Sequence, residues 1–306
     1  MNFVHNNSYV QGFKIYLKKS NQREADISCL QQHIPAEVQK LELCKGSPQF
    51  SILSIGAGDG FIDKEILKFV QEGYLNADDK QLQEVEFLNT AVEPNTALIG
   101  HYKESIEMQS DETKGLSNQR SVKFDLKPMS FEEYAKSKHD QNLGQNQYDL
   151  VHAIHSLYYV DSIESTLKHC YHNELGEKGL IVCLLGTKSH FVILTKFILK
   201  KFRPEYGKPL TNTAEDVIRV AEKNGMKYKK VVVAYPVDVT SVFDQRSEEG
   251  GHLLDFCTLE DNYRQTADPE ELKEILKMFQ ENSTEDCNGR MIVNATNELI
   301  FIYKAP

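Results

Sequence analysis

The run Phe50-Ser51-Ile52-Leu53-Ser54-Ile55-Gly56-Ala57-Gly58-Asp59-Gly60 constrains the fold more than any other stretch of the chain. A short apolar strand empties into Gly-x-Gly-x-Gly, and an amphipathic pattern begins at about Phe61. Strand, tight glycine turn and helix, in that order, open a βα unit of an α/β sheet. Glycines at 56, 58 and 60 tolerate the positive φ of such a turn and leave the backbone bare where a flat ligand lies against it. The spacing separates ligands. A dinucleotide fingerprint, Gly-x-Gly-x-x-Gly, would need its last glycine at Phe61 or at Asp63. A nicotinamide-dependent oxidoreductase is therefore disfavoured. The closer spacing suits S-adenosylmethionine, which has no phosphate to hold.

A glycine turn by itself also reads as an ordinary strand-to-helix connection. A second feature adds to it. Val85-Glu86-Phe87-Leu88-Asn89-Thr90-Ala91-Val92-Glu93-Pro94 reads as another strand, ending in a carboxylate. Ligands of open α/β sheets bind at the carboxyl ends of strands, and a carboxylate there accepts both ribose hydroxyl hydrogens. Glu93 read alone would be a charge favoured at a helix N-terminus. Paired with the turn, it is assigned to the ribose.

Beyond the turn the chain alternates. Strands are expected near 51–56, 86–92, 121–125, 148–154, 179–185, 228–235 and 298–303. Helices are expected near 61–73, 96–109, 129–138, 161–172, 190–201 and 213–224. This rhythm predicts an α/β fold with a mostly parallel seven-stranded sheet and helices on both faces. Residues from about Tyr9 to Lys40 read as helical, with Pro35 opening a second helix. Gly73 to Glu84 reads as a polar loop. From Asp238 to Glu285 helices replace strands, at Gly251 to Thr258 and at Pro269 to Glu281, where Pro269 suits a first turn. Residues 1–306 are taken as one domain, in which 1–45 and about 238–285 form a smaller helical, substrate-binding lid.

Composition excludes several classes. The net charge is −10 over 306 residues, which disfavours nucleic acid and anionic membranes. No apolar run approaches 18 residues, so no membrane span is expected. The first residues lack a basic stretch followed by an apolar one, so no signal peptide is expected. Six cysteines without a Cys-x-x-Cys pair read as reduced thiols, which places the protein in the cytoplasm.

The fourth strand runs into Ala153-Ile154-His155-Ser156-Leu157-Tyr158-Tyr159-Val160. Tyr158 and Tyr159 offer π-faces that favour a cation, although paired tyrosines at a strand–helix corner also serve as packing. His152 with His155, and His169 with His172, lack a Cys or carboxylate at ligand spacing, so no metal site is assigned. No Gly-x-Ser-x-Gly elbow marks a nucleophile.

Taken together these stretches resemble the histamine N-methyltransferase family of class I methyltransferases. The anchors are Tyr9-Val10-x-x-Phe13, Ile52-Leu53-Ser54-Ile55-Gly56, Val92-Glu93-Pro94, Tyr102-Lys103-Glu104, Leu157-Tyr158-Tyr159-Val160 and Asp255-Phe256. The likeness runs nearly from end to end. It implies a Rossmann-like core, a monomer, S-adenosylmethionine as cofactor and transfer of a methyl group to nitrogen of a small imidazole or amine. Gly56, Glu93 and Ile154 match the family's cofactor contacts in identity. Leu98 stands where the family has a glutamine, and Phe131, with Ser130 beside it, where it has a serine. The implied acceptor contacts are Phe13, Tyr16, Gln22, His155, Tyr158, Tyr159, Phe256, Asn294 and Ala295. Gln22 replaces a glutamate that holds the substrate amine, Ala295 replaces an asparagine next to Asn294, and His155 replaces a glutamine. The mechanism implied is one of alignment, with His155 the candidate catalytic group. Two further readings stay open: a different small amine or imidazole dipeptide as acceptor, and a catalytically silent protein that binds S-adenosylmethionine.

Overall fold

The computed structural model describes residues 7–40, 49–75, 85–112, 122–140, 148–204 and 212–304. Of the expected segments, 1–6, 41–45, most of the polar stretch after Gly73 (76–84) and residue 121 lie outside these. The chain divides into two compact units. A sheet unit comprises Ile27–Leu185, Ala214–Val231 and Glu298–Pro306, and a helical unit comprises Met1–Asp26, Gly186–Thr213 and Val232–Asn297.

The sheet unit is built on β1 (Gln49–Ile55), β2 (Glu86–Val92), β3 (Val122–Lys127), β4 (Tyr148–Ile154) and β5 (Leu175–Gly186). It also takes in the start of β6 (Lys227–Asp238) and the end of β8 (Met291–Tyr303). The strand order is β3-β2-β1-β4-β5-β8-β6, and the pairs β1–β2, β2–β3, β1–β4 and β4–β5 are parallel. β1, β2 and β4 are buried along most of their length, as strands covered on both faces must be. The edge strand β3 is different: it is only half-buried and carries Lys123, Asp125 and Lys127, charges that discourage pairing with another chain.

The helices of this unit are α2 (Gln22–Lys40), of which Ile27 onward belongs here, α3 (Phe61–Leu75), α4 (Thr96–Glu112), α5 (Phe131–Asp140), α6 (Ile163–His169) and α8 (Ala214–Lys223). Their apolar stripes join the strands in a core that includes Leu53, Val151, Leu167, Ile181, Val217 and Ile300. The α/β architecture with a mostly parallel central sheet expected from the alternation is what the structure shows, but among the described residues the sheet has eight strands rather than seven. A two-residue strand, β7 (Thr284–Glu285), pairs antiparallel with β8.

Three local expectations are corrected. Pro35 lies inside α2 rather than opening it, and the break between the first two helices falls at Ser20, which bridges to Val237. The backbone of Pro35 packs against Gly73, where an added Cβ would come within 3.0 Å of the Pro35 carbonyl oxygen. Gly73 itself is helical, because that crossing of α2 and α3 requires a residue without a side chain. The sixth helix ends at His169 and widens into a π-turn, Cys170–Glu174, so β5 begins at Leu175. Glu174 is buried there, with Lys138 Nζ at 2.6 Å and His169 Nε2 at 3.1 Å.

The helical unit contains α1 (Asn7–Lys19), α7 (His190–Phe202), α9 (Glu248–Thr258), α10 (Tyr263–Thr266) and α11 (Pro269–Glu281). Asp268 caps α11 and Pro269 fills its first turn, as the sequence predicts. α1 approaches α9 closely at Gly12, where a Cβ would stand 2.7 Å from the His252 carbonyl oxygen. Tyr16, Phe191, Leu253, Ile275 and Val293 form the unit's core.

Candidate functional site

In the sheet unit the strand order reverses at β1. The chain leaves β1 toward β2 and β3 on one side, then returns to β4 on the other. The two directions of departure leave a crevice at the carboxyl ends of β1 and β4, the usual place for a ligand in an open α/β sheet.

The glycine turn lies at that crevice. Gly56, Gly58 and Gly60 all have positive φ, of 69°, 59° and 76°. The amides of Gly56 and Ala57 both donate to the Val92 carbonyl, which ties the turn to β2. Each glycine is required for a different reason. A Cβ at Gly56 would meet Ser156 Cβ at 2.4 Å, and one at Gly60 would meet the Tyr102 ring at 2.2 Å. Among the described residues a Cβ at Gly58 would meet nothing within 4 Å. Gly58 therefore presents bare backbone to open space, a cradle that a side chain would fill.

Glu93 follows β2 and is 8 % exposed. Its Oε2 accepts from the Gly58 amide at 3.0 Å and its Oε1 from the Asn95 amide at 2.8 Å. The carboxylate thus reaches the turn from the neighbouring strand. Asn95 then caps α4, accepting from the amides of Ala97 and Leu98.

β4 ends at Ile154, which is half-buried, and the next residue is strained. His155 has φ 54°. Its amide donates to the Leu184 carbonyl at 2.8 Å. A non-glycine residue in the left-handed region is uncommon, and such strain concentrates at functional sites. The imidazole stacks on Tyr158, with ring centroids 6.1 Å apart and planes 17° apart, and Nδ1 stands 3.4 Å from the Tyr158 hydroxyl. Tyr159 turns its ring edge-on to Tyr158 and is 44 % exposed. Ser156 folds back to donate to the Ile55 carbonyl, which locks the end of β4 against the end of β1.

Other expected site residues have other surroundings. Ser130 opens α5 in a reciprocal capping box: its amide donates to Glu133 Oε2 and its Oγ accepts from the Glu133 amide. The Phe131 ring is buried in the core, against Tyr134 and His169. Leu98, in the first turn of α4, is half-buried.

In the helical unit, Tyr16 stacks on Phe256 at 5.0 Å and on Phe191 at 5.3 Å, and Phe13 lies 5.9 Å from Phe256. Gln22 is buried at the start of α2. On β8, Ala295 is buried and Asn294 is exposed, because successive strand residues face opposite ways. Two residues beyond Ala295, on its face, Asn297 Nδ2 donates to Asp26 at 2.9 Å. Its Oδ1 accepts from Tyr235, whose hydroxyl meets that of Tyr16 at 3.0 Å. The sequence reading missed Asp26, Asn297 and Tyr235. One signal was present: Asp26 is one helical turn from Gln22.

His152, on β4, is buried, and among the described residues neither ring nitrogen has a hydrogen-bond partner. Burial holds its pKa below the usual imidazole value. The unfolded chain therefore binds a proton near pH 6.5 that the folded protein refuses, so stability falls as pH drops below that value. The expected slope is up to about 1.4 kcal/mol per pH unit from this group. Urea midpoints at pH 7.5 and 5.5 should differ less in His152→Leu than in the wild type.

Strand order and glycine turn together define a Rossmann-like methyltransferase fold. Loganic acid methyltransferase shares it, with TM-score 0.53 over 92 % of this chain and 94 % of that one, at 16 % identity. So does a putative methyltransferase from Bacillus halodurans, with TM-score 0.51 over 89 % of this chain and 100 % of that one, at 11 % identity. In sequence the chain is similar to histamine N-methyltransferases. That of Rattus norvegicus is 28 % identical over 303 residues, 98 % of this chain and 95 % of that protein. That of Cavia porcellus is 29 % identical over 282 residues, 91 % and 89 %. Carnosine N-methyltransferase 2 of Gallus gallus is 26 % identical over 290 residues, 93 % and 83 %. No protein-family model matches the chain.

Proposed function

We propose that the protein is an S-adenosylmethionine-dependent N-methyltransferase acting on a small imidazole or amine compound, histamine-like in chemistry. The observation that carries this reading is the bare backbone at Gly58, bonded to the Glu93 carboxylate at the carboxyl end of the neighbouring strand. Bound there, S-adenosylmethionine supplies a sulfonium methyl group to a nitrogen of the acceptor. Gly56, Gly58 and Gly60 let the adenosyl moiety lie against the turn. The Glu93 carboxylate, beside the turn, accepts the ribose hydroxyls. Ile154 offers an apolar side chain at the end of β4; Leu98, in α4 after β2, offers only apolar contact, and Ser130 follows β3.

The chain's own contribution to rate is alignment and exclusion of water, which together can remove several kcal/mol from a two-body barrier. A neutral imidazole keeps a free lone pair near pH 7, so such an acceptor requires no strong base. His155, held in a strained backbone beside Tyr158, orients the acceptor or receives its proton. His155→Gln should lower turnover about tenfold with little change in donor affinity, since general acid–base or orienting groups contribute at least this much. Unchanged turnover would remove His155 from the mechanism.

Acceptor choice involves Phe13, Tyr16, Gln22, Tyr158, Tyr159, Phe256, Asn294 and Ala295 in this reading. With Gln22 in place of a carboxylate, a cationic acceptor forgoes part of a charge-assisted hydrogen bond worth about 1.5–3 kcal/mol. An imidazole dipeptide is therefore a second acceptor to test, and the likeness to the Gallus gallus carnosine enzyme supports its inclusion. Calorimetry with S-adenosylmethionine, its demethylated product and NAD tests the donor. A labelled-methyl assay over histamine, carnosine and other small amines tests the acceptor. Donor binding without turnover on any of them would favour a catalytically silent protein.

The same resemblance supports a monomer in the cytoplasm, which gel filtration and fractionation would check. Of the five described cysteines, Cys29, Cys170, Cys183 and Cys257 are buried and Cys287 is exposed. No helix of the described residues is long and apolar enough to cross a membrane.

A further inference from the structure

Beneath the glycine turn lies a group of buried polar side chains to which the donor reading gives no role. Asp63 is the third residue of α3 and is 1 % exposed. It shares an apolar stripe with Ile66, Leu67 and Val70, all buried, so its carboxylate points into the core. Oδ1 accepts from Ser54 Oγ at 2.7 Å. Oδ2 accepts from Asn89 Nδ2 and from the Tyr102 hydroxyl, each at 3.0 Å. Asn89 Nδ2 also donates to the Tyr102 oxygen at 3.0 Å. His152 Nε2 stands 3.6 Å from Oδ1.

These partners come from the elements that bound the crevice. Ser54 lies on β1 two residues before Gly56, Asn89 on β2 four before Glu93, and His152 on β4 three before His155. Tyr102 comes from α4, and its ring lies directly against Gly60. A single carboxylate thus fixes β1, β2 and α4 to the first turn of α3. A buried charge is a costly way to hold a core together, since an apolar side chain on the same stripe would do so with less desolvation. What the carboxylate provides, and an apolar residue would not, is directional register.

We propose that Asp63 is a positioning residue for the methyl donor: through Ser54, Asn89 and Tyr102 it sets where Gly56, Gly60 and Glu93 stand relative to one another. The inference rests on the donor reading given above. Disturbing the cluster loosens the turn while the residues that face the donor remain present. The effect therefore falls on donor affinity more than on the transfer step.

Asp63→Asn places an amide where three donors converge on two carboxylate oxygens. The dissociation constant and KM for S-adenosylmethionine should rise about tenfold, and kcat at saturating donor should fall by less. The exchange Asp63→Asn with Asn89→Asp keeps one carboxylate and one amide facing each other with their roles swapped. It should return the dissociation constant to within about threefold of wild type. Tyr102→Phe keeps the ring against Gly60 and removes only the hydroxyl, so it folds if any variant does. It should weaken donor binding about threefold. A merely structural role would lower the melting temperature and the active fraction but leave donor KM unchanged. That pattern in Asp63→Asn or Tyr102→Phe, or donor binding within twofold of wild type in both, overturns the proposal. Failure of the wild-type protein to bind the donor is a different result, and it removes the donor reading itself.

Discussion

Gly56→Ala should bind S-adenosylmethionine on the order of 100-fold more weakly than the wild-type protein. Two costs combine. Gly56 has φ 69°, a conformation that disfavours a side chain. The new methyl group would also stand 2.4 Å from Ser156 Cβ. Ser156 has little freedom to retreat, because its hydroxyl is bonded to the Ile55 carbonyl and its backbone follows the strained His155. Overpacking costs about 1–3 kcal/mol and the left-handed backbone about 1–2 kcal/mol more, enough for a 100-fold loss. Gly56→Ala with Ser156→Gly removes the clash and keeps the backbone strain, so it should recover part of the affinity. Gly58→Ala separates folding from binding. Among the described residues a Cβ there meets nothing within 4 Å, so only the positive-φ cost remains. The melting temperature should fall less than in Gly56→Ala while donor affinity falls strongly. Calorimetry and a thermal melt on the three variants would check this. Full donor affinity in Gly58→Ala would show that the adenosyl moiety does not lie on that face.

Glu93→Gln should cost a similar factor for a different reason. The carboxylate accepts from two backbone amides, at Gly58 and Asn95, one on each oxygen. An amide side chain can accept from only one of them, and its NH2 group must then oppose the other N–H. The substitution also removes the charge from any hydrogen bond to a ribose hydroxyl. A hydrogen bond to a charged group is worth about 1.5–3 kcal/mol, so losing two in part predicts a donor affinity roughly 100-fold lower. Glu93→Asp keeps the charge but shortens the reach, and should fall between the two. Titration with the demethylated product, which lacks the sulfonium charge, should show the same ranking if the ribose is the point of contact.

Much of the sheet was legible because its signal is local. Apolar runs of strand length bounded by glycine or proline, alternating with helical periodicity, are set by neighbours in sequence. The turn at 56–60 was legible for the same reason, and so was the carboxylate at the end of β2. The misreadings share another cause. Proline at position 35 signals a helix start because it lacks a backbone donor. The structure keeps it inside α2, where it packs against Gly73 from 38 residues further along. Gly73 carries a loop signal in the sequence, although the close crossing of two helices is what calls for a glycine there.

The chain's own letters determined the order of strands and helices, the bare glycine turn, the acidic strand end and a whole-length likeness to histamine N-methyltransferases. Each of these is carried by residues adjacent in sequence or by their spacing. Tertiary structure alone decided that Ser156 closes the space over Gly56 and that Tyr102 lies against Gly60. It alone joined Asp63 to Ser54, Asn89 and Tyr102, residues separated by 9, 26 and 39 positions. Contacts at such separations leave no periodicity to read, because nothing in a linear pattern records which distant side chains a sheet will bring within 3 Å of one another.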